Sequence, residues 1–128
     1  MIGFKEAVQR CLLRSFVWRG RASRAEYWWF VLFLMLCSVG AAFLATASHS
    51  VPIISLLATV LYVGAIFPVV AVSVRRLHDT DRNGAWVLVG MLPLLGLVVL
   101  VFFCQQGDPM PNRYGPPPSV DPLVSPAY

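Results

Sequence analysis

Charge is what this chain has least of. Acidic and basic residues together occupy 12% of its 128 positions and hydrophobic residues 58%, against roughly 25% charged in an ordinary soluble domain. That shortage excludes a soluble globular domain and points to a membrane protein. Cysteine is also scarce: Cys11, Cys37 and Cys104 are odd in number and widely spaced, so neither a disulfide framework nor a CxxC site is implied, and they read as small apolar fillers. There is no glycine-rich phosphate loop and no pair of catalytic acids. Ser38, Ser48, Ser55 and Ser73 have no histidine within evident reach, which leaves nucleophilic catalysis without its parts and no catalytic residue to name. No internal repeat is visible, and the length allows one small domain, residues 1–118, followed by a Pro-rich tail over 105–128.

What the chain does have is long apolar runs. Residues 27–47 and 51–74 carry no Asp, Glu, Lys or Arg, and 85–103 is a third such run, with Pro93 and Gly96 near its middle. At about 1.5 Å per residue each reaches across the roughly 30 Å hydrocarbon core. Because an unpaired backbone amide in lipid costs several kcal/mol, these runs are expected to be helical. The fold class is therefore all-α: a polytopic helical membrane protein with about three transmembrane helices. The third is expected as one span with its tail outside. Its alternative is a re-entrant hairpin broken at Pro93 and Gly96, which returns the tail to the side it came from.

Residues 1–24 read differently. Phe4, Val8, Cys11, Leu12 and Phe16 recur at intervals of three and four while Lys5, Glu6, Gln9, Arg10 and Arg14 fall mostly opposite, the pattern of an amphipathic helix lying in the membrane plane. The alternative is a short helix packed under the bundle. Gly20 is expected to break this helix, and Ser23 followed by Glu26 is a capping-box pattern at the start of the first span. Ala45-Thr46-Ala47 resembles a signal-peptide cleavage site, but the apolar stretch before it is too long for one.

Six of the ten Lys and Arg residues precede the first span, none lies between the first and second, three (Arg75, Arg76, Arg82) lie between the second and third, and Arg113 follows. The positive-inside rule then puts the amino terminus and the segment 75–82 in the cytoplasm and the Ser48-His49-Ser50 turn outside. The net charge of +4 suits anionic headgroups beside bilayer-length runs; no nucleic acid is expected as a partner.

The remaining charge gathers in RRLHDTDR, residues 75–82. By this topology Arg75, Arg76, His78, Asp79 and Arg82 share a face with Arg21, Arg24 and Glu26, beside an aromatic belt of Tyr27, Trp28, Trp29 and Trp86. Glu26, Asp79 and Asp81 are each expected to find an arginine across the helix ends, which is worth more in this half-dry layer than on a soluble surface. Two readings follow: a network that only fixes helix register, or, with arginines left over, a site for an anionic lipid headgroup or a membrane partner. The rival class is a membrane enzyme or transporter component using His78 and Asp79 for metal or acid/base chemistry. Neighbouring arginines repel a cation, the mid-membrane positions lack ionisable groups, and three spans make a poor pathway, so no metal and no cofactor are expected. On the first span Ser38/Ala42, Ala41/Ala45 and Ala42/Thr46 form a strip of small residues, expected to pack within the chain, with a homo-oligomer or a larger partner as the alternative.

The segments GRASRAEYWWF, VAVSVRRLHDTDRNGAW, LPLLG and CQQGDPMPNRYGPPP, in this order and spacing, resemble the small bacterial inner-membrane family catalogued as domain of unknown function 805 (DUF805). The resemblance covers residues 1–118. It implies a small helical domain in the inner membrane and brings no established activity.

Overall fold

The computed structural model describes residues 2–47 and 52–118. Among them are five helices: α1 (Phe4–Leu13), α2 (Arg24–Ala47), α3 (Pro52–Asp79), α4 (Trp86–Gly90) and α5 (Leu95–Cys104). No strand occurs among the described residues; the one β-bridge joins Asn112 to Gly115. Residues 48–51, where the sequence leads one to expect a turn, and 119–128 lie outside the described residues, and with them His49.

α2 and α3 are the two helices long and apolar enough to cross a membrane, at 24 and 28 residues. Ser23 caps α2: its hydroxyl accepts the Glu26 amide at 3.1 Å, half of a capping box, because the Glu26 side chain turns to another helix instead of back to the cap. Pro52 opens α3 at a position where its missing N–H costs nothing. α3 ends in a Schellman arrangement, with Arg82 N donating to Leu77 O at 3.0 Å and Asp81 N to His78 O at 3.1 Å. Asp81 supplies the left-handed residue this needs, at φ 55°.

α1 runs across α2 and α3, not along them. Phe4 at its start sits edge-on to Trp29 at 5.8 Å and near Phe33 at 6.4 Å, both on α2. Phe16, just past its end, meets Phe67 of α3 at 5.4 Å. Trp29 and Phe33 lie three and seven residues beyond Glu26, and Phe67 eight residues before Arg75, so both ends of α1 sit at similar depth. The buried seam of α1 is narrower than its apolar periodicity suggests. Ala7 and Cys11 are buried and Val8 packs on the core, while Leu12, Leu13 and Phe16 stay exposed. Small side chains at the seam let the two backbones approach closely.

The third apolar run forms two helices in place of the single span expected. α4 stops at Gly90, and Leu94, at φ 65° and ψ −49°, is the centre of a tight γ-turn in which Leu95 N donates to Pro93 O at 2.7 Å. Trp86 at the start of α4 then lies edge-on to Phe102 near the end of α5, ring centroids 5.5 Å apart. In one continuous helix those residues would be about 24 Å apart. The close approach of the hairpin arms depends on glycine, since a Cβ on Gly96 would come within 2.7 Å of Gly90 O. The chain after α5 therefore returns to the end of the molecule it left. The strip of small residues on α2 is not packed within the chain as expected: Ser38, Ala42, Ala45 and Thr46 are exposed and only Ala41 is partly covered.

Candidate functional site

Burial is confined to one end. Every buried residue of α2 lies between Glu26 and Phe30, and every buried residue of α3 at or beyond Pro68. At that end the start of α2, the end of α3 and the returning tail meet, and six polar or charged residues are enclosed: Arg21, Glu26, Ser73, Arg75, Arg76 and Asp79.

Asp79 is the hub. Its Oδ1 accepts Arg21 Nε at 2.9 Å, its Oδ2 accepts Arg76 Nη1, and its main-chain oxygen accepts the Asp108 amide at 2.8 Å. Each of the two arginines then reaches into the tail. Arg21 donates through Nη1 to Met110 O at 2.8 Å and through Nη2 to Asp108 O. Arg76 donates through Nε to Phe103 O at 3.1 Å and through Nη2 to Gln105 O, placing a cation on the carbonyl end of α5. Gly107 passes so close that a Cβ there would fall inside contact distance of both Asp79 carboxylate oxygens. The tail is thus threaded through two guanidinium forks, and only a glycine fits at the crossing.

A second buried pair lies toward α1. Arg75 Nη1 donates to Glu26 Oε1 at 2.8 Å, both side chains being enclosed, and Ala22 N donates to Arg75 O at 3.0 Å. The Cys11 thiol sits 3.8 Å from Glu26 Oε1. Burial, reinforced by the Glu26 charge, pushes that thiol up to about 12 from 9.0, so it stays protonated at neutral pH and inert as a nucleophile. Arg75 Nε and Nη2 have no hydrogen-bond partner among the described residues. Three buried arginines against two buried carboxylates leave one positive charge in excess, facing the main-chain carbonyls of the tail.

The outer ring of the site is weaker. His78 stacks on Tyr114 with ring centroids 3.8 Å apart and planes 4° from parallel, and its Nδ1 lies 3.3 Å from Gly20 O. Asn112 Nδ2 donates to His78 O at 2.9 Å. Arg113 pairs with Asp81 at 3.1 Å in the open.

All eight charged or histidine residues expected at the site lie at this end, in two groups. Arg21, Glu26, Arg75, Arg76 and Asp79 form the buried network, with each of Glu26, Asp79 and Asp81 bound to an arginine. Arg24 is exposed at the start of α2 with no ion pair among the described residues. Arg82 is half-buried with its guanidinium 4.0 Å above the Phe102 ring, on the rim of a 450 Å³ surface hollow bordered by Thr80, Gln106, Gly107, Asp108 and Pro109. The aromatic belt needs one correction. Trp28, Trp29 and Trp86 are exposed, but Tyr27 is buried against Phe103 at 4.6 Å, because the returning hairpin covers that face of α2. His78 and Asp79, paired in the rival reading, engage different partners, and no group of three or more His, Cys, Asp or Glu among the described residues is placed to hold a metal ion.

Sequence reasoning missed Cys11 beside the buried pair and the whole contribution of residues 103–115. The signal for the tail was its dense run of Gly, Pro and Asn, which reads as surface turns until something is seen to bind its carbonyls.

The geometry joins the motifs at residues 20–30, 70–86 and 104–115 into one structure, and a family model described as "Protein of unknown function (DUF805)" matches residues 15–116. The chain belongs to the DUF805 family. Two relatives from Escherichia coli strain K12 share most of its length. Inner membrane protein YhaI is 44% identical over 113 residues, covering 84% of this chain and 91% of that protein. Inner membrane protein YhaH is 37% identical over 115 residues, covering 87% and 95%. No solved structure matches the chain. As a DUF805 member with two apolar helices of spanning length, it is an inner-membrane protein.

Proposed function

We propose that this DUF805 protein is a non-catalytic inner-membrane component whose arginine–carboxylate network is a structural lock on the cytoplasmic side. It ties together α1, the two spans, a re-entrant hairpin and the tail. The observation that carries this is the fate of the three buried arginines: each is at most 1% exposed and each is tied to Glu26 or Asp79, Arg21 and Arg76 also to main-chain carbonyls of the tail. A buried pair is a weak source of net stability but a strong source of register, since removing either partner strands the other.

The hairpin supports the topology. α5 is 10 residues long, about 15 Å, or half of a roughly 30 Å hydrocarbon core. In this reading the α4–α5 hairpin enters and leaves by one face and the ten Lys and Arg residues share that face, the asymmetry the positive-inside rule asks of a cytoplasmic side. α1, crossing both spans with Leu12, Leu13, Phe16 and Trp18 exposed, suits the acyl boundary of the same leaflet. The exposed small-residue strip on α2 is offered to a second copy, which disulfide crosslinking through Cys37 in a version lacking Cys11 and Cys104 would detect.

The test is accessibility. A cysteine placed at Pro118, in a chain without the native three, is labelled by a membrane-impermeant maleimide in inverted vesicles and not in intact spheroplasts. Labelling from the outer side ends the hairpin topology. The second reading, binding of an anionic headgroup, passes from the buried arginines to Arg24, which they leave unpaired.

A further inference from the structure

Beside the lock, a groove of about 180 Å³ runs between α2, α3 and the α4–α5 hairpin, lined by Tyr27, Ser73, Met91, Gly96, Val99 and Phe103. Its lining follows α5 from Phe103 to Gly96, a stretch of seven residues or about 10 Å. Met91 and Leu100 on its rim are exposed, so it opens sideways onto the lipid-facing surface. The volume is below the roughly 300–1,000 Å³ of a pocket that encloses a small molecule. A chain lying lengthwise fits better than a compact ligand.

The polar features sit at the top in a fixed order. Tyr27 and Ser73, the two hydroxyl-bearing residues of the lining, belong to the end of the groove where Phe103 packs on Tyr27. Arg24 lies three residues before Tyr27, about one helical turn nearer the start of α2, exposed and without an ion pair among the described residues. It is close enough to Arg76 for their like charges to interact, and Arg76 holds the carbonyl of Phe103 at the groove's mouth. An anion, two hydrogen-bond acceptors a turn lower and an apolar chain below them, in that sequence, describe a phospholipid.

We propose that this groove holds one anionic phospholipid of the inner leaflet. Its phosphate lies on Arg24, its ester carbonyls near the Tyr27 and Ser73 hydroxyls, and one acyl chain along Val99, Gly96 and Met91. The inference rests on the topology above, which puts this end at the membrane surface, and is separate from the lock, whose residues the lipid does not replace.

The test is a lipid titration of the full chain in mild detergent, read by native mass spectrometry with phosphatidylglycerol and phosphatidylethanolamine. The wild-type chain retains one phosphatidylglycerol about five-fold more strongly than phosphatidylethanolamine, the difference expected for one basic residue at an anionic surface. Arg24→Gln abolishes that preference and keeps the weaker binding. Leu100→Trp, which fills the groove from its exposed rim, weakens both lipids, and Arg19→Gln, an exposed cation elsewhere, changes neither. Equal retention of the two lipids by the wild-type chain overturns the proposal without any variant. So does a loss in Arg19→Gln as large as in Arg24→Gln, which marks diffuse electrostatics, or displacement by glycerol phosphate, which places recognition in the headgroup alone. The lock is judged separately, by the unfolding of Asp79→Asn, so either idea can fail without the other.

Discussion

The two ends of this molecule invert the usual relation between polarity and burial. At the charged end, the inner one in the proposed topology, Arg75 and Arg76 are fully enclosed, while toward the opposite, outer end of that topology Leu61 is 74% exposed, Tyr62 70% and Phe43 73%. In water that distribution would be untenable. In a bilayer it follows directly: hydrocarbon outside removes any drive to hide leucine, whereas each charged or hydrogen-bonding group near the membrane must find a partner inside the protein. The inner end is held by specific polar geometry. The outer halves of α2 and α3 are held by their own backbone hydrogen bonds and by lipid.

That contrast predicts where substitutions bite. The largest effect belongs to the hub: Asp79→Asn leaves Arg21 and Arg76 without their shared carboxylate and costs about 3–5 kcal/mol in unfolding of the purified protein. Gly107→Ala, which drives a methyl into the same carboxylate, releases the tail to proteolysis. Unchanged stability in Asp79→Asn would mean that the network does not hold the fold. Next is a difference in reactivity. With its thiol near 12, Cys11 is thiolate in only about one molecule in ten thousand at pH 8, so maleimide modifies exposed Cys104 long before it. The sign of the linkage is also set: the folded chain binds this proton more tightly than the unfolded one, so the thiol's contribution to stability declines as pH rises from 9 toward 12, and Cys11→Ala removes that decline.

Smaller effects lie at the edge of the lock. Tyr114→Ala loses the stack on His78 and costs about 1 kcal/mol. Arg113→Ala, breaking an exposed pair with Asp81, costs under about 1 kcal/mol. The smallest is expected at the outer end, where Leu61→Ala changes stability by no more than about 0.5 kcal/mol. A clearly larger loss there, dependent on protein concentration, would show that the outer half is covered by a second copy and would redraw the comparison.

Much of the inner end was legible from residue order. Charge grouped at 19–26 and 75–82, separated by apolar runs of bilayer length, brings those groups to one face whatever the details of packing, and the carboxylates among them must pair with the arginines. What could not be read was the allocation. Arg21, Arg24, Arg75 and Arg76 look alike in sequence, yet three are enclosed and one is exposed without an ion pair among the described residues, because partners are chosen by helix rotation and by a segment distant in the chain. Tyr27 looked like a belt residue beside Trp28 and Trp29 because nothing in its neighbourhood announces that Phe103 will cover it. The third apolar run has length enough to span, and Pro93 is compatible with a kinked helix. Its folding back depends on Gly96 meeting Gly90 and on Arg76 and Arg21 receiving the carbonyls beyond α5.

The sequence by itself determined the solvent, the helical class and the depth at which charge can exist, because those follow from transfer free energies that sum residue by residue along the chain. Tertiary structure alone decided which arginine meets which carboxylate, at which end of the molecule the tail packs, and that a groove remains beside Tyr27. Those depend on distances between residues far apart in the chain, and no local property of the sequence carries such distances.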